Sequence, residues 1–174
     1  MPMILVTPLS AVEETIRLYK PSHLLTLLSP EHMIETPDGI EAARHLRLGL
    51  NDVAEPWASD VPPDVTHVEQ LLEFGRGWEA KSPMLVHCWA GISRSTAAAY
   101  ILLCDRFGRG SERTIANALR RRAPHAYPNS LMVRLADAAL RREGRMIEAA
   151  NAIGRGMIVA EGERFELPLS LEEL

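Results

Sequence analysis

The chain has 174 residues, of which 47% are apolar and 24% charged, which fits one globular domain with a single core. Its formal net charge of −4 argues against a nucleic-acid-binding protein, because contacts to nucleic-acid phosphates need a basic surface. No apolar run approaches the roughly 20 residues that span a bilayer, so we expect no membrane span.

In the first half of the chain, short apolar runs alternate with helical patterns and proline-containing loops. We predict strands over residues 3–7, 23–28 and 44–50, and helices over residues 11–20 and 65–80. Ser10 and Glu13 have the spacing of a capping box at the start of the first helix. Residues 29–41 and 51–64 are predicted loops, because prolines interrupt both segments.

In the second half, a strand and a tight turn lead into a helical region. A strand over residues 84–87 and a turn over residues 88–93 precede helices over residues 95–107, 111–122 and 130–142, the last two begun by Ser111 and Asn129. This order predicts an α/β fold, with a single, mostly parallel central sheet flanked by helices and a helical C-terminal half. We assign residues 1–154 to the main domain and residues 155–174 to a tail or hairpin, packed on the domain or at an oligomer contact.

The predicted turn has the composition of an anion-binding loop. Between Cys88 and Arg94 lie five residues, Trp89, Ala90, Gly91, Ile92 and Ser93. A turn of this length can direct its backbone N–H groups at one tetrahedral anion, and the following helix adds its positive N-terminal end. Gly91 suits a close backbone approach, and Arg94 can donate two parallel hydrogen bonds to phosphate oxygens. The sequence therefore predicts a phosphate site formed by residues 89–94.

The same loop favours a reactive thiolate on Cys88. Inward N–H groups and the Arg94 guanidinium stabilise negative charge, so we expect a thiolate to face the bound phosphate as a nucleophile. Ser95 can donate a hydrogen bond to the leaving sulfur, and His87 is expected to brace the loop through backbone hydrogen bonds. A lone cysteine at a strand end is ordinarily a buried apolar residue. The strand, glycine, arginine and helix together favour the catalytic interpretation.

Residues 87–95, HCWAGISRS, resemble the signature of the protein tyrosine phosphatase superfamily, and are most similar to its dual-specificity and small bacterial members. The resemblance extends over roughly residues 46–142 and implies a cysteine phosphatase fold and hydrolysis of phosphate monoesters through a phospho-cysteine intermediate on Cys88. It implies that Asp52, 36 residues before the cysteine, is the general acid/base. It also matches Pro128 and Asn129 to the family's Pro-Asn pair and Arg121 to its arginine, which implies supporting roles for Asn129 and Arg121.

The general acid has competing candidates in the same loop. A leaving alkoxide or phenolate needs a proton as the P–O bond breaks, and Asp52 fits the resemblance. Asp60 and Asp64 lie on the same proline-rich segment, and each is either an alternative acid or a solvated loop or helix-cap residue. No cluster of metal-ligating residues appears, so we expect neither a metal nor another cofactor.

The expected substrate is a phosphorylated protein or peptide, with phosphotyrosine favoured over phosphoserine or phosphothreonine. A phosphoinositide or inositol-phosphate phosphatase is the alternative, although the loop interior lacks the lysines usual in lipid-directed relatives. Further alternatives are a catalytically silent module that binds phospho-residues, a sulfurtransferase and an arsenate reductase. The presence of Cys88, Arg94 and Asp52 disfavours the silent module, and the five-residue spacing within the loop disfavours the sulfurtransferase. An arsenate reductase would need partner thiols, and only Cys104 is available.

A few residues outside the loop carry weaker expectations. Cys104 is expected in the core, with a resolving thiol for Cys88 as the alternative, and Arg121 is a candidate second anion site at the pocket rim. Rim or packing positions are expected for Trp57, His125 and Tyr127. The last five residues are expected to be solvated. Two cysteines and no signal-peptide pattern indicate a cytoplasmic protein, since thiols stay reduced there.

Overall fold

The computed structural model describes residues 2–174 and contains one five-stranded sheet in the order β3-β2-β4-β1-β5. The strands are β1 (Met3–Pro8), β2 (His23–Leu28), β3 (His45–Gly49), β4 (Met84–Cys88) and β5 (Phe165–Pro168). The first four strands are parallel, whereas β5 pairs antiparallel with β1. The prediction of an α/β fold with a mostly parallel central sheet is therefore confirmed.

Helices cover both faces of the sheet. They are α1 (Val12–Tyr19), α2 (Val65–Gly77), α3 (Arg94–Phe107), α4 (Glu112–Arg122), α5 (Ser130–Ala139) and α6 (Arg145–Ala152). Because side chains alternate along a strand, Leu5 and Leu85 pack with α1 on one face, while Ile4, Val6 and Val86 join the larger core formed with α2 to α6 on the other. None of the helices in residues 2–174 is long and apolar enough to cross a membrane.

The centre of the sheet leads directly into the predicted anion-binding loop. Strand β4 lies between β2 and β1 and ends at Cys88. Helix α3 begins at Arg94 and is buried from there to Cys104. Open α/β sheets bind ligands beyond the carboxyl ends of their strands. Residues 89–93 therefore occupy the position where this topology favours a ligand.

The predicted helix over residues 130–142 corresponds to α5, which ends three residues earlier, and a separate helix, α6, follows it. Helix α5 ends at Ala139, and left-handed backbone angles follow at Arg141 (φ 52°), Glu143 (φ 57°) and Gly144 (φ 85°). The Asp137 carboxylate accepts hydrogen bonds from the N–H groups of Gly144 (2.8 Å) and Met146 (3.0 Å), which begins α6. The sequence analysis did not predict α6 as a separate helix, because hydrophobic periodicity does not reveal a cap supplied from the preceding helix.

Two of the three predicted helix caps were also wrong. The Ser10 hydroxyl donates to Glu161 (2.7 Å), and α1 begins only at Val12. The Ser111 hydroxyl donates to the carbonyl of Gly108 (2.6 Å) instead of capping α4. Asn129 does cap α5, since its side-chain oxygen accepts from the N–H of Met132 (3.0 Å). A serine before a helix has several local hydrogen-bonding options, and tertiary contacts choose among them.

The C-terminal segment contributes one strand to the sheet rather than a hairpin, because only Phe165–Pro168 of residues 156–169 pairs with a neighbour. The prediction that the last five residues are solvated was wrong for the final residue. Leu174 is buried, and its carbonyl oxygen accepts a hydrogen bond from the Arg121 guanidinium. Arg122 donates similarly to the carbonyl of Glu173 (2.7 Å).

Candidate active site

The loop between β4 and α3 turns its carbonyl groups outward. Four of them accept hydrogen bonds from backbone N–H groups outside the loop: Trp89 from Leu9 (3.0 Å), Ala90 from Gly162 (2.8 Å), Ile92 from Tyr127 (2.9 Å) and Ser93 from Asn129 (3.2 Å). The C=O and N–H of a peptide unit point in opposite directions. The surrounding elements therefore leave the N–H side of the loop for the cleft, as an anion-binding loop requires.

Gly91 allows this loop to lie against the end of β1. Its φ is 69°, in the left-handed region that side-chain-bearing residues rarely adopt. A Cβ atom at this position would lie 2.7 Å from the nitrogen of Pro8 and 2.8 Å from the carbonyl carbon of Thr7. Both the backbone angle and the close approach therefore require glycine.

Cys88 lies at the base of a cleft of about 500 Å³. Only 2% of the residue is exposed, yet it forms part of the cleft wall. Its Sγ lies 3.1 Å from the hydroxyl oxygen of Ser95, in the first turn of α3. At the mouth of the cleft, Trp89 is 53% exposed and its ring lies 5.0 Å from the ring of His32.

Arg94 places a buried guanidinium in the wall of the same cleft. The residue is 6% exposed, and its Nη1 donates to the carbonyl of Leu50 (2.9 Å). Its Nε is buried and has no hydrogen-bond partner within residues 2–174. A buried donor without a partner is costly, and an oxyanion in the cleft would satisfy it.

Asp52 is tied to the anion-binding loop by two side chains. The Ser93 hydroxyl donates to Asp52 Oδ1 (2.7 Å), and the Asn129 amide donates to the same oxygen (2.9 Å). Asn129 also donates to the carbonyl of Val53 (3.0 Å), so it holds the backbone beside the carboxylate as well. The base of this segment is closed by a backbone hydrogen bond from Asn51 to Val61 (2.8 Å). These contacts fix the carboxylate in the wall of the cleft.

The other two candidate acids lie elsewhere. The Asp64 carboxylate accepts from the backbone N–H of His67 (3.0 Å) and caps α2. Asp60 is exposed and does not line the cleft. Of the three aspartates in this segment, only Asp52 shares the cleft with Cys88 and Arg94.

His87 supports the loop from the α1 side of the sheet and does not line the cleft. Its Nδ1 donates to the carbonyl of Cys88 (3.2 Å), so its Nε2 is the nitrogen that accepts from the Thr26 hydroxyl (2.7 Å). The Thr26 oxygen also lies 2.8 Å from Nε2 of His45. Burial lowers the pKa of His87 to about 4, and burial aided by Arg47 lowers the pKa of His45 to about 4. Both rings are therefore neutral at pH 7.

Solved structures share this architecture. DUSP15 has a TM-score of 0.58 and 20% identity, covering 88% of each chain. The human tyrosine phosphatase-like serine/threonine/tyrosine-interacting protein has a TM-score of 0.62 and 18% identity, covering 80% of this chain and 91% of its own. PTPMT1, solved in complex with PI(5)P, has a TM-score of 0.61 and 14% identity, covering 86% and 96%. The chain has the fold of the protein tyrosine phosphatase superfamily. Neither models of protein families nor curated proteins match its sequence.

Within this phosphatase fold, most of the sequence-predicted site residues meet in one cleft. It is lined by Asp52, Cys88, Trp89, Ala90, Ile92, Ser93, Arg94 and Asn129. Gly91 lies within the loop and packs against the end of β1, while Ser95 and His87 contact Cys88 at the start of the loop. The wall is completed by Val53, Ala54, Tyr127, Pro128 and Ser130, and Tyr127 is 51% exposed at its edge.

Arg121 was predicted near the pocket rim, but the structure does not bring it to the cleft, because its guanidinium bonds to Leu174. The neighbouring Arg120 instead supports the segment that leads into the cleft wall at Tyr127. Its guanidinium donates to five carbonyl oxygens, of Ala123, Pro124, Ala126, Ile153 and Gly154. Burial lowers the pKa of Arg120. Sequence reasoning missed Arg120 because three consecutive arginines cannot be told apart without the rotational phase of their helix.

Cys104 cannot be a resolving thiol for Cys88. Cys88 Sγ lies 3.1 Å from the hydroxyl of Ser95, and nine residues of α3, about 13 Å of helical rise, separate Ser95 from Cys104. Disulfide-bonded Cα atoms, in contrast, lie within about 7 Å of each other. Cys104 is fully buried, and this burial raises the pKa of its thiol to about 12. Cys104 is therefore an inert core residue, and the alternative interpretation was wrong.

The three residues expected at rim or packing positions, Trp57, His125 and Tyr127, differ in how deeply they are buried. Trp57 is 81% exposed and lies outside the cleft wall. His125 is buried, with its ring 5.8 Å from that of Phe165, and burial lowers the pKa of His125. Of the three, only Tyr127 lines the cleft.

Proposed function

We propose that the protein is a cysteine-dependent phosphatase that hydrolyses phosphate monoesters of phosphorylated proteins, with phosphotyrosine as the preferred residue. The observation that carries the proposal is the meeting of Cys88, Arg94 and Asp52 in one cleft, around a loop whose carbonyl groups are held outward. A cytoplasmic location fits this chemistry, because a catalytic thiolate is lost to oxidation in an oxidising compartment.

The reaction proceeds in two displacements. The Cys88 thiolate attacks phosphorus, an S–P bond forms as the P–O bond breaks, and Asp52 gives its proton to the leaving oxygen. Water then attacks phosphorus while Asp52 takes its proton, and the S–P bond breaks to release phosphate. Ser95, 3.1 Å from the sulfur, donates a hydrogen bond to the departing thiolate. Arg94 and the loop N–H groups bind the equatorial oxygens in both steps.

Phosphotyrosine is preferred because the cleft has aromatic and apolar walls. Trp89 and Tyr127 are both about half-exposed at its edge, where a phenyl ring can pack between them. The alternative substrate, a phosphoinositide, is suggested by the structural similarity to PTPMT1, whose structure contains PI(5)P. Against this alternative, Arg94 is the one cationic side chain that lines the cleft within residues 2–174. Several phosphates on one headgroup would be poorly neutralised there.

The second alternative is a catalytically silent module that binds phospho-residues. One of the similar structures is described as a tyrosine phosphatase-like interacting protein. The presence of a nucleophile, a guanidinium and a carboxylate in one cleft favours catalysis over capture, because simple capture needs neither the thiol nor the acid.

The proposal is tested by substituting each of the two cysteines. Cys88→Ser should still bind phosphotyrosine peptides but hydrolyse none of a panel of phosphotyrosine, phosphoserine and phosphoinositide substrates. Cys104→Ser, at a buried site remote from the cleft, is the matched control and should retain turnover. A chelator should leave the wild-type rate unchanged. Substantial turnover by Cys88→Ser would refute the covalent mechanism.

A further inference from the structure

A second cleft of about 490 Å³ lies directly beside the catalytic cleft, and we name it the flanking cleft. The two share Tyr127, Pro128 and Ser130 as a common wall. The far wall comes from α5, α6 and the residues just after α6, and includes the apolar side chains of Val133 and Ile147. A peptide that places its phosphorylated residue at Cys88 can therefore extend over this shared wall.

The flanking cleft is locally cationic in an acidic protein. Its lining within residues 2–174 contains Arg134 and Arg155 and no aspartate or glutamate, whereas the whole chain has a net charge of −4. Arg155 is exposed, its Cζ lies 5.8 Å from the centroid of the Tyr127 ring, and it forms no salt bridge within the described residues. Its guanidinium is therefore held at the shared wall and remains free to bind an anion.

Arg134 is the second cationic side chain that lines the flanking cleft. Its Nη2 donates to the carbonyl of Ala54 (2.7 Å), two residues after Asp52 in the same loop. Its Nη2 also forms a salt bridge with the Glu55 carboxylate, at 3.4 Å. Glu55 therefore offsets part of the charge of Arg134, and Arg155, which has no carboxylate partner within residues 2–174, is the main free cation of the flanking cleft.

We propose that the flanking cleft binds an acidic side chain, aspartate or glutamate, of the substrate peptide close in sequence to the phosphotyrosine. This inference rests on the proposed function and specifies its substrate class. Arg155 binds the carboxylate, and the apolar wall of Val133 and Ile147 packs against the methylene groups of the side chain. The catalytic cleft then selects phosphate, and the flanking cleft selects among phosphopeptides.

The test uses two series of phosphotyrosine peptides, identical except for glutamate or lysine at each position from three residues before to three residues after the phosphotyrosine. We expect kcat/KM to favour glutamate over lysine about three- to fivefold at one or more positions, the range of an exposed ion pair. Raising the ionic strength should reduce this ratio. The same ratio, measured as Kd with Cys88→Ser, gives a readout that needs no turnover.

Substitutions of Arg155 connect this preference to the flanking cleft. R155A should bring the glutamate-to-lysine ratio close to one, and R155E should reverse it in favour of lysine. R145A is the matched control, since Arg145 is an exposed arginine on α6 that does not line the flanking cleft, and it should keep the wild-type ratio.

Each outcome decides between the alternatives. A ratio near one at every position in the wild type, or a preference that R155A and R155E leave intact, overturns the inference. If instead a second phosphate on an inositol headgroup raises kcat/KM and R155A removes that gain, with no peptide preference, the cleft binds lipid phosphate and the peptide assignment is wrong. Absence of turnover with a retained Kd preference refutes the proposed function alone.

Discussion

The Asp52 carboxylate receives both of its side-chain hydrogen bonds on one oxygen. Ser93 and Asn129 donate to Oδ1, and Oδ2 accepts none within residues 2–174. Oδ2 is therefore the oxygen available for proton transfer to the leaving group. Ser93, inside the anion-binding loop, couples the position of the acid to the position of the phosphate, and Asn129 couples both to α5.

Asp52→Asn should slow poor leaving groups far more than good ones. The reason is that an alkyl or unsubstituted phenyl leaving group needs a proton in the transition state, whereas a strongly acidic phenol does not. We expect a loss of roughly 10²–10⁴-fold in kcat/KM for phenyl phosphate, and a much smaller loss for dinitrophenyl phosphate. The measurement is a plot of log kcat/KM against leaving-group acidity. An equal small loss across the series would show that Asp52 is not the acid.

Gly91 should be intolerant of even one added methyl group. Gly91→Ala forces a Cβ to within 2.7 Å of the Pro8 nitrogen at a φ of 69°, so we expect roughly 2–3 kcal/mol of destabilisation. Gly77→Ala, where an added Cβ meets no atom within 4 Å, is the control and should change stability by less than about 1 kcal/mol. Urea unfolding of both variants provides the comparison. Equal stabilities would show that the loop adapts to a side chain at position 91.

At the scale of elements, one arginine joins three parts of the chain. Arg120 extends from α4 to carbonyl groups of residues 123–126, which lead into Tyr127, and of Ile153 and Gly154 after α6. The wall shared by the two clefts is therefore held by a side chain that lies behind it. The Arg120 guanidinium also packs tightly against the backbone of Gly156, where an added Cβ atom would clash with it.

Arg120→Ala should lower the free energy of unfolding much more than Arg122→Ala does. It leaves several carbonyl groups without a charged donor, so we expect a loss of about 3 kcal/mol in the free energy of unfolding. Arg122→Ala, which removes one exposed bond to Glu173, should cost less than about 1 kcal/mol. Thermal unfolding of the two variants measures the difference. Similar melting temperatures would refute the role assigned to Arg120.

The sequence predicted the elements whose signals are local, and missed those set by contacts between distant residues. The strand, turn and helix around Cys88 follow from an apolar run, a glycine and a helical pattern, and the structure contains all three. The start of α6 depends on Asp137 from the preceding helix, and the buried end at Leu174 depends on Arg121 from α4. No local pattern encodes such pairings, so the start of α6, the buried end of the chain and the choice among Arg120, Arg121 and Arg122 were not predictable.

At the scale of the whole molecule, buried neutral histidines make the folded state sensitive to acid. The pKa of His87 is lowered to about 4 in the folded protein, against an ordinary value of 6.5. Below pH 6.5 the unfolded chain binds a proton that the folded chain does not bind until about pH 4, so the free energy of unfolding falls as the pH falls through this window. His45, whose pKa is also lowered to about 4, acts in the same direction.

We therefore expect the protein to lose about 1.5 kcal/mol of stability from His87 alone between pH 6.5 and pH 5. Urea unfolding at a series of pH values gives the slope. His87→Asn, although less stable overall, should show a shallower slope over the same interval. A wild-type stability that is flat between pH 6.5 and pH 5 would mean that His87 is not held neutral.

The covalent role of Cys88 is tested most directly by rapid acid quenching during turnover of an aryl phosphate, followed by mass spectrometry of the peptide that contains residue 88. We predict one added phosphoryl group on Cys88, present during turnover and more abundant in Asp52→Asn when the leaving group is good. Cys104 should carry none. Continued turnover with no phosphoryl group on Cys88 at any quench time, or with the group on another residue, would contradict the mechanism.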